Sequence, residues 1–489
     1  MRRVFEHLAR HARERPKQVA IAQVIPCTRR VSWSWSQLHT AVHGVADQVR
    51  KAIGPGQVVL LSSPNRPEFI AAFLGTLAAD AIVFPVHPAL TAPELHDAAR
   101  RANAGGIIAG ASTLALLSEP GMKWLDIESI ASLSEVDAPS QAPLDRAGLM
   151  LQSSGTTGRP KIVLRSARAL HAVAASICQA TNLNQRDTVL AAIPLGHSYG
   201  VEHGVLAPVL AGAAVHVMDG FEPSIAAEQL GGGVVTVFPG VPLMWQMLAE
   251  RAPCLHASRV RVGYSAGGPL PRHVFDACLN GMHIRVGQLY GSTEAGSVTF
   301  NDPHDSAHDP ASVGRPMDDV SILLVDPDAL DTQHALAPGI EGHVAIRSPS
   351  MLDRYVDDPM PAHHHGFFLS GDLGRMDARG HLTITGRVKL QIDVAGGFKV
   401  NPLEVEDLLV QHPAVKECVV VPLPITETAS RLKAIVVLKR EALRVSTEDL
   451  RQFARARLAA HKVPRLIEVR ASLPRSPGGK VLREKLRCE

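Results

Sequence analysis

A chain of 489 residues is longer than one ordinary domain and predicts roughly two to four domains. Its net charge of +3, from 50 basic and 47 acidic residues, gives no indication of nucleic-acid binding, and no run of about 18 apolar residues predicts a membrane span. Six cysteines without C-x-x-C spacing predict neither a disulfide framework nor a zinc site, so we expect a cytoplasmic protein.

Helices and short apolar strands alternate in two separate blocks of the chain. Amphipathic helices are predicted at 35–49 and 67–78. This alternation predicts βαβ units and mainly parallel sheets, arranged as two related α/β halves of one large domain. The predicted strands of the two blocks are 58–62, 81–86, 189–193, 214–217, 234–238 and 260–264.

The most informative segment is a glycine- and hydroxyl-rich loop between predicted strands 147–152 and 162–164. Glycines let backbone N–H groups approach an anion, hydroxyls add donors and lysine adds a point charge, so the loop predicts a phosphate site. It lacks the spacing of the P-loop. A solvated linker is the alternative interpretation, which the flanking strands disfavour. The loop contains Ser153, Ser154, Gly155, Thr156, Thr157, Gly158, Arg159, Pro160 and Lys161.

The pattern changes in the C-terminal third of the chain. Short strands punctuated by turns predict a β-rich subdomain between 314 and 386, and a smaller unit follows. Residues 390–489 contain 18 Lys and Arg and 12 Asp and Glu, a net +6 that leaves −3 for the rest of the chain. A compact basic module suits an anionic ligand; chance imbalance is the alternative explanation.

Six further polar or glycine-rich clusters lie at predicted strand ends or close the chain. Ligands of open α/β sheets bind beyond the carboxyl ends of the strands, so these loops can converge on one cleft. The clusters are 194–200, 265–269, 288–294, 370–372, 386–406 and 473–480.

In this order and spacing the clusters resemble the acyl-adenylate-forming (AMP-binding) superfamily of acyl-CoA synthetases, peptide-synthetase adenylation domains and luciferases, over nearly the whole chain. The resemblance implies an α/β fold. A large N-terminal AMP-binding domain, 1–386, would contain two related α/β halves and a β-rich subdomain. A small mobile α+β domain, 387–489, would follow a hinge near Lys389.

The resemblance also implies two half-reactions. A carboxylate attacks ATP in the presence of Mg²⁺ and gives an acyl-adenylate and pyrophosphate. The phosphopantetheine thiol of coenzyme A or of an acyl carrier protein then takes the acyl group. Because the first step brings anions together, the site has to supply positive charge and hydrogen-bond donors.

The resemblance assigns the phosphate chemistry to four places. The loop 153–161 would embrace the β- and γ-phosphates, and Thr293 would donate to the α-phosphate. Glu294 would hold Mg²⁺, a hard cation that prefers oxygen ligands. Lys480 would bridge the incoming carboxylate and the α-phosphate, and His197 would lie near the entrance to the site.

The resemblance assigns the nucleoside to a second group of residues. Tyr290 would offer a flat face to adenine, and Asp372 would accept hydrogen bonds from both ribose hydroxyls. Arg387 would assist at the ribose or a phosphate. The full group is Gly267, Gly268, Pro269, Tyr290, Gly291, Ser292, Asp372 and Arg387.

A rotation of the small domain is implied for the second half-reaction. The loop 394–399 would then enter the cleft, where Gly396 and Gly397 leave a channel for a narrow pantetheine arm. This favours a thioester-forming member of the superfamily.

Three residues depart from the family pattern. His343 stands where Glu is common, and Asp393 stands where Lys is common. Ser370 replaces a common Thr beside Asp372, which keeps the hydroxyl group.

The acyl pocket is expected around residues of the second α/β half. Gly287 and Ser292 are small and leave width for a planar ring or a chain, and no partner for an amino-acid ammonium is recognisable. An aromatic acid such as a hydroxybenzoate is favoured, with a medium-chain acid as the alternative. The predicted pocket residues are Phe238, Val241, Ser265, Gly287 and Leu289.

The acceptor and the class of function also have alternatives. Coenzyme A is the commoner acceptor, but a basic small domain suits an acidic carrier protein as well. A non-catalytic nucleotide-binding or sensor protein would share the fold. An adenylate-using oxidase like luciferase is disfavoured by Asp393 and the Gly-Gly channel.

Overall fold

The structure is a computed structural model. Within it the chain divides into two compact units; the predicted domain boundary at 386 and the hinge at Lys389 stay predictions. The first unit comprises Met1–Ile322, Ile346–Ala362 and Gly380–Leu382, and the second Leu323–Ala345, His363–Arg379 and Thr383–Glu489. The residues described are 1–25, 31–116, 122–132, 145–153, 161–251, 259–327, 329, 332, 334–360, 363–390, 392–394, 398–424, 430–440, 445–475 and 481–486.

Strands and α-helices largely alternate up to Met282, as the sequence predicts, and strands then predominate up to Pro402. The strands are β1 (Val19–Val24), β2 (Val31–Ser34), β3 (Val58–Ser62), β4 (Ile82–Val86), β5 (Ala104–Ala109), β6 (Lys123–Asp126), β7 (Gly148–Gln152), β8 (Ile162–Ser166), β9 (Thr188–Ala191), β10 (Ala214–Met218), β11 (Val237–Gly240), β12 (Val262–Ser265), β13 (Val286–Ser292), β14 (Gly296–Asn301), β15 (Arg315–Pro316), β16 (Ser321–Val325), β17 (Glu341–Arg347), β18 (Arg354–Tyr355), β19 (His363–His364), β20 (Phe367–Met376), β21 (Leu382–Arg387), β22 (Ile392–Val394), β23 (Phe398–Val400), β24 (Val415–Pro424), β25 (Ser430–Leu438) and β26 (Leu466–Val469). The helices are α1 (Arg2–Glu14), α2 (Trp35–Ala52), α3 (Pro67–Ala78), α4 (Ala92–Ala102), α5 (Ala111–Leu114), α6 (Ala167–Ala180), α7 (Ser198–Val201), α8 (Ala207–Ala211), α9 (Pro223–Gly231), α10 (Pro242–Ala249), α11 (Arg272–Met282), α12 (Pro402–Val410) and α13 (Thr447–Arg455).

The first unit contains two large sheets. One has nine strands in the order β15-β14-β13-β12-β11-β9-β10-β1-β2, and the other has seven in the order β18-β8-β7-β4-β3-β5-β6. The inner strands from β13 to β1 pair in parallel, so the loops after β9, β11, β12 and β13 leave the same edge of the sheet. The predicted α/β class is confirmed.

Helices lie between the two sheets and share one hydrophobic core with both of them. Alternate residues of β3 face opposite sides: Val59 and Leu61 join this core, and Val58 and Leu60 join a second core with α4. On the far side of the nine-stranded sheet, α9, α10 and α11 pack in a third core. Rigid layers of this kind hold the loops at the sheet edges in place.

The second unit contains most of the β-rich segment and the C-terminal module. One sheet has the order β16-β17-β20-β19 with β21 paired to β20, which confirms the strands predicted between 314 and 386. The other has the order β23-β22-β25-β24 with β26 paired to β25. Helices α12 and α13 pack on this second sheet through Val405, Leu409 and Leu450.

The positions of single elements differ from the prediction by a few residues. The strand predicted at 234–238 is β11, Val237–Gly240, because Val234 is exposed and the parallel register with β12 begins at Val237. In the part of the chain that the structure describes, no helix is long and apolar enough to cross a membrane.

Candidate active site

The predicted phosphate loop is closed at its base by a backbone hydrogen bond. Strands β7 and β8 pair antiparallel up to Gln152 and Ile162, and the Ser153 N–H then donates to the Lys161 carbonyl at 2.8 Å. Ser153 is buried. The loop therefore leaves and re-enters the seven-stranded sheet at adjacent positions. Its inner residues Ser154, Gly155, Thr156, Thr157 and Gly158 lie outside the described residues.

Lys161, at the end of this loop, lies over an aromatic ring that also contacts Glu294. Its Nζ is 4.5 Å from the centroid of Tyr355 and 3.9 Å from Asp358 Oδ1. The Tyr355 hydroxyl donates to Glu294 Oε1 at 3.3 Å. Burial raises the pKa of Tyr355, and the Glu294 carboxylate raises it further, so this hydroxyl stays a donor. The structure thus brings together Lys161 and Glu294, two residues that the sequence predicts for phosphate and Mg²⁺.

Thr293 and Glu294 lie in the tight turn between β13 and β14. The Ala295 N–H donates to Ser292 Oγ at 3.1 Å, and the Glu294 carbonyl accepts from the Leu352 N–H at 2.7 Å. Gly291 permits the close approach of the two strands, since a Cβ there would lie 2.3 Å from the Gly296 carbonyl oxygen. The turn is therefore held on both sides by hydrogen bonds.

The segment predicted to border adenine follows β12. Gly267, Gly268 and Pro269 are exposed, and Gly267 has a φ of +86°, which favours glycine. The loop is anchored where the Leu270 N–H donates to the side-chain oxygen of Gln288 on β13 at 3.1 Å. Tyr290, on the same strand as Gln288, is half-buried.

His197 is exposed at the start of α7, after β9. Its Nδ1 accepts a hydrogen bond from the Tyr199 N–H at 3.3 Å, which caps this short helix. Because β9, β12 and β13 are parallel, His197 leaves the sheet at the same edge as the loops after β12 and β13.

The predicted pocket residues lie on β11, β12 and β13, except for Val241, which directly follows β11. Phe238 and Leu289 are buried, and Phe238 packs on Trp245 with ring centroids 4.9 Å apart. Val241 precedes α10 and is half-buried. The Ser265 hydroxyl is buried and, among the described residues, has no hydrogen-bond partner.

Gly287 has a structural explanation that the sequence did not reveal. A Cβ at this position would lie 2.6 Å from the Asn301 carbonyl oxygen and 2.9 Å from Pro303 Cδ. The missing side chain thus makes room for the chain that follows β14. Its predicted role in widening the acyl pocket stays a prediction.

A buried ion pair beneath these loops was missed by the sequence interpretation. Arg165 Nη1, on β8, lies 2.5 Å from Glu202 Oε1, and the two side chains are 0% and 1% exposed. The Ser198 hydroxyl donates to the same oxygen at 2.6 Å. Burial pushes the pKa of Glu202 upward, but Arg165 and Ser198 outweigh it, so the pKa lies below its usual value.

The network continues from Glu202 to β14 and β12. The Ser297 N–H and hydroxyl both donate to Glu202 Oε2, at 3.2 and 2.9 Å. His203 contacts Ser297 Oγ at 3.0 Å and the Tyr264 hydroxyl at 2.7 Å. Glu202 and His203 lie in the π-helix Glu202–Leu206, the irregular turn between α7 and α8. The network therefore joins the strand after the phosphate loop to β14, the strand that follows the turn of Thr293 and Glu294.

One signal in the sequence points to this pair. Arg165 ends the apolar run 162–164, and Glu202 lies with His203 between apolar and small residues, and each follows a cluster that was assigned to the site. Opposite charges in two apolar segments indicate a buried partnership, because an unpaired charge in a core is costly.

In the second unit, Asp372 and Arg387 form an ion pair. Arg387 Nε donates to Asp372 Oδ1 at 2.6 Å, and Asp372 is buried. The Asp372 N–H donates to Ser370 Oγ at 3.0 Å. On the neighbouring strand β17, the Nε2 of His343 accepts the Gly371 N–H at 2.8 Å.

The predicted hinge, thiol channel and adenylation lysine lie in the C-terminal part of the chain. The backbone of Lys389 forms part of a 3₁₀ turn, Val388–Leu390. Gly396, Gly397 and Lys480 lie outside the described residues, so their roles stay predictions.

Comparisons with known proteins place this chain in one family. The sequence model described as "AMP-binding enzyme" matches residues 8–356, and "AMP-binding enzyme C-terminal domain" matches 404–480. A medium-chain fatty-acid–CoA ligase of Escherichia coli K12 is 30% identical, covering 97% of this chain and 88% of its own. An oxalate–CoA ligase of Arabidopsis thaliana is 27% identical, covering 93% of each chain. The crystal structure of ATP-bound MatB from Rhodopseudomonas palustris superposes with a TM-score of 0.90 at 24% identity, covering 99% of this chain and 98% of that one, and shows the same fold.

Proposed function

The chain belongs to the AMP-binding enzyme family, and we propose that it is an ATP-dependent, AMP-forming acid–thiol ligase. A carboxylate oxygen attacks the α-phosphorus of ATP, and pyrophosphate leaves. The phosphopantetheine thiol then attacks the acyl carbon, its proton is lost, and AMP leaves. The family match over residues 8–356 carries this proposal. The contact chain from Lys161 through Tyr355 to Glu294 supports it.

In the first unit, we propose that Lys161 and the loop before it supply the charge and donors for the departing pyrophosphate. The Lys161 ammonium and the backbone N–H groups of the loop would hold the β- and γ-phosphates. The Tyr355 hydroxyl, by donating to Glu294, restricts the orientation of that carboxylate. Thr293, in the same turn, would donate to the α-phosphate.

The donor chemistry of Glu294 fits magnesium. A carboxylate oxygen suits this hard cation, and Mg²⁺ usually takes its other ligands from substrate phosphates and water. Among the described residues no group of three His, Cys, Asp or Glu side chains is placed to hold a metal. Glu294 together with phosphate oxygens would therefore hold the ion, which would neutralise charge on the leaving group.

In the second unit, we assign the ribose to Asp372. Its buried carboxylate is oriented by Arg387 Nε at 2.6 Å. An ionised carboxylate accepts two hydroxyl hydrogen bonds well, which suits a cis-diol. Lys480 is proposed to neutralise the carboxylate and the α-phosphate as their bond forms.

An aromatic acid with a polar substituent is the proposed substrate, in the hydroxybenzoate class. The buried Ser265 hydroxyl, without a partner among the described residues, supports this choice. A ring hydroxyl that reaches it would supply a partner, a gain of about 0.5–1.5 kcal/mol that a medium acyl chain does not offer. The medium-chain acid remains the alternative substrate.

Coenzyme A is the proposed acceptor. The excess charge of the C-terminal module favours an acidic carrier protein only where cations are unpaired. Several cations of this module form ion pairs: Lys462 with Glu404, Lys433 with Glu468 and Arg483 with Glu406. Docking to a carrier protein is the alternative, and it would weaken as salt increases.

A panel of carboxylic acids tests the proposal. Pyrophosphate release is measured with hydroxybenzoates, unsubstituted benzoate and C6–C10 acids. The masses of the products formed with coenzyme A and with holo carrier protein are then measured by mass spectrometry. Hydroxybenzoyl-CoA is the expected product. A Ser265→Ala variant should reduce the preference for hydroxybenzoate over benzoate. ATP binding without pyrophosphate release for any acid would instead identify a non-catalytic nucleotide-binding protein.

A further inference from the structure

His343 lies in the buried part of a strand, and one of its ring nitrogens accepts a backbone hydrogen bond. It lies on β17, where the next residues Val344, Ala345 and Ile346 are buried, and it is itself 7% exposed. Its Nε2 accepts the Gly371 N–H of the neighbouring strand β20 at 2.8 Å. An acceptor nitrogen carries no proton, so the ring of His343 is neutral with its proton on Nδ1.

This hydrogen bond lies at a bend in β20 directly before Asp372. Gly371 has a φ of +80°, and a Cβ there would meet nothing within 4 Å, so the backbone conformation and not space requires glycine. The N–H held by His343 belongs to the peptide between Ser370 and Gly371. Ser370 Oγ in turn accepts the Asp372 N–H at 3.0 Å. The direction of the Asp372 side chain thus depends on a peptide that His343 fixes.

The other ring nitrogen shows that His343 is a poor choice for stability alone. Its Nδ1 is buried and has no hydrogen-bond partner among the described residues. A buried donor without an acceptor destabilises the folded state. An apolar residue would avoid this loss at a buried position of the strand, so the acceptor at Nε2 is the property that distinguishes histidine here.

We propose that His343 is a positioning residue for the nucleotide. By accepting the Gly371 N–H, it fixes the bend that aims the Asp372 carboxylate at the ribose hydroxyls of ATP. The proposal rests on the proposed function of Asp372. It predicts that an amide oxygen at position 343 can replace the ring nitrogen and that an aliphatic side chain cannot.

The native enzyme and the variants His343→Leu and His343→Gln are compared with ATP and with 2′,3′-dideoxy-ATP. The kcat/KM for pyrophosphate release is measured for both nucleotides, and the KM of the acid is measured separately. Urea unfolding is followed for each protein. In His343→Leu one buried donor is removed and the Gly371 N–H loses its acceptor, so no large change in the unfolding midpoint is expected.

The ratio of kcat/KM for the two nucleotides reports the contact between Asp372 and the ribose. The native enzyme is expected to prefer ATP by at least about tenfold, since hydroxyl bonds to a charged carboxylate are strong. In His343→Leu the ratio should fall several-fold with the acid KM unchanged, and in His343→Gln it should stay near the native value.

Two controls separate the possible failures. His412→Leu removes a ring nitrogen that accepts the Ala414 N–H at 3.2 Å in the same unit, and it should leave the nucleotide ratio unchanged. A native ratio retained in His343→Leu overturns the positioning role alone. A native enzyme that does not distinguish the two nucleotides overturns the proposed role of Asp372, and the positioning role with it.

Discussion

The guanidinium of Arg165 lies 2.5 Å from the Glu202 carboxylate, and neither side chain is exposed to solvent. Arg165 follows the phosphate loop on β8, and Glu202 accepts two hydrogen bonds from Ser297 beside the turn of Thr293 and Glu294. Two segments that carry predicted site residues are thus joined through charges that have no access to water. Such a pair is stable only as long as both partners are present.

Removal of either partner alone should strongly destabilise the protein. Removal of both should destabilise it by less than the sum of the two single losses. Arg165→Met leaves Glu202 charged and buried, and Glu202→Leu does the same to Arg165, so each should lower the free energy of unfolding by about 3–5 kcal/mol. The double variant should lose clearly less than the sum, since only the hydrogen bonds of Ser198 and Ser297 are then missing. Urea denaturation of the four proteins measures this. Additive losses would show that the two charges do not depend on each other.

Stability should fall as the pH decreases from about 6.5 towards 4, in part because of His203. Burial lowers the pKa of His203 to about 4, while the unfolded chain titrates near 6.5. Between these values the unfolded state binds a proton that the folded state does not, so acid favours unfolding. The fully buried ring contributes up to about 1.4 kcal/mol per pH unit in this window and nothing above it.

The contribution of His203 is isolated by comparing the native protein with His203→Gln at pH 7.5 and pH 5.0. The difference in unfolding free energy between the two pH values should be smaller in the variant by about 2 kcal/mol. An exposed histidine, His283, offers the matched control, since His283→Gln should leave the pH dependence unchanged. Equal pH dependence in the native protein and His203→Gln would show that the ring takes up its proton without unfolding.

Glu294→Gln should slow adenylation and weaken the response to magnesium. The amide keeps the shape of the side chain and removes the charge, so we expect a loss of about two powers of ten in kcat, or ~3 kcal/mol. Tyr355→Phe keeps the ring under Lys161 and removes one hydrogen bond of 3.3 Å, so its loss should be about tenfold or less. Pyrophosphate release is measured over a range of Mg²⁺ concentrations. A Glu294→Gln enzyme with a native magnesium requirement would show that another group binds the ion.

The α/β architecture could be predicted because its signals are local. Strands such as β3 and β10 are short apolar runs between helical segments, and the loop 153–161 is recognisable by its glycines and hydroxyls. Parallel pairing then gathers the following loops at one edge of the sheet. Sequence order and the geometry of βαβ units are sufficient for that step.

The contacts within the candidate site could not be predicted in the same way. Tyr355 reaches Glu294 through a short pairing of β18 with β8, a contact across 61 residues that no local pattern indicates. The sequence shows that Gly287 has no side chain, but it does not show that the Asn301 carbonyl and Pro303 lie against this position. Tertiary packing determines both the contact of Tyr355 with Glu294 and the surroundings of Gly287, and the geometry of this packing cannot be derived from a single sequence.

Lys480→Ala should separate the two half-reactions. An ammonium that neutralises the carboxylate and the α-phosphate acts only while their bond forms, so its loss should lower adenylation by two or more powers of ten, about 3 kcal/mol. Thioester formation from a preformed acyl-adenylate should be largely preserved. Pyrophosphate release and single-turnover transfer to coenzyme A measure the two steps. Near-native pyrophosphate release by the variant would remove Lys480 from the proposed mechanism.

Replacement of Gly396 by a bulky residue should have the opposite effect. If the pantetheine arm passes this glycine, Gly396→Trp obstructs the thiol while ATP and the acid still react, so acyl-adenylate accumulates on the enzyme. The variant should release pyrophosphate in a single burst, and its transfer rate to coenzyme A should fall by at least about tenfold, because a small misplacement of reacting groups has a large effect on rate. Gly110→Trp is a matched control, since Gly110 has no positive φ, a Cβ there meets only Glu128 Oε1 at 3.8 Å, and the residue has no proposed role. An equal loss of both half-reactions in Gly396→Trp, with Gly110→Trp unaffected, would show that this glycine serves the nucleotide site and not a thiol channel.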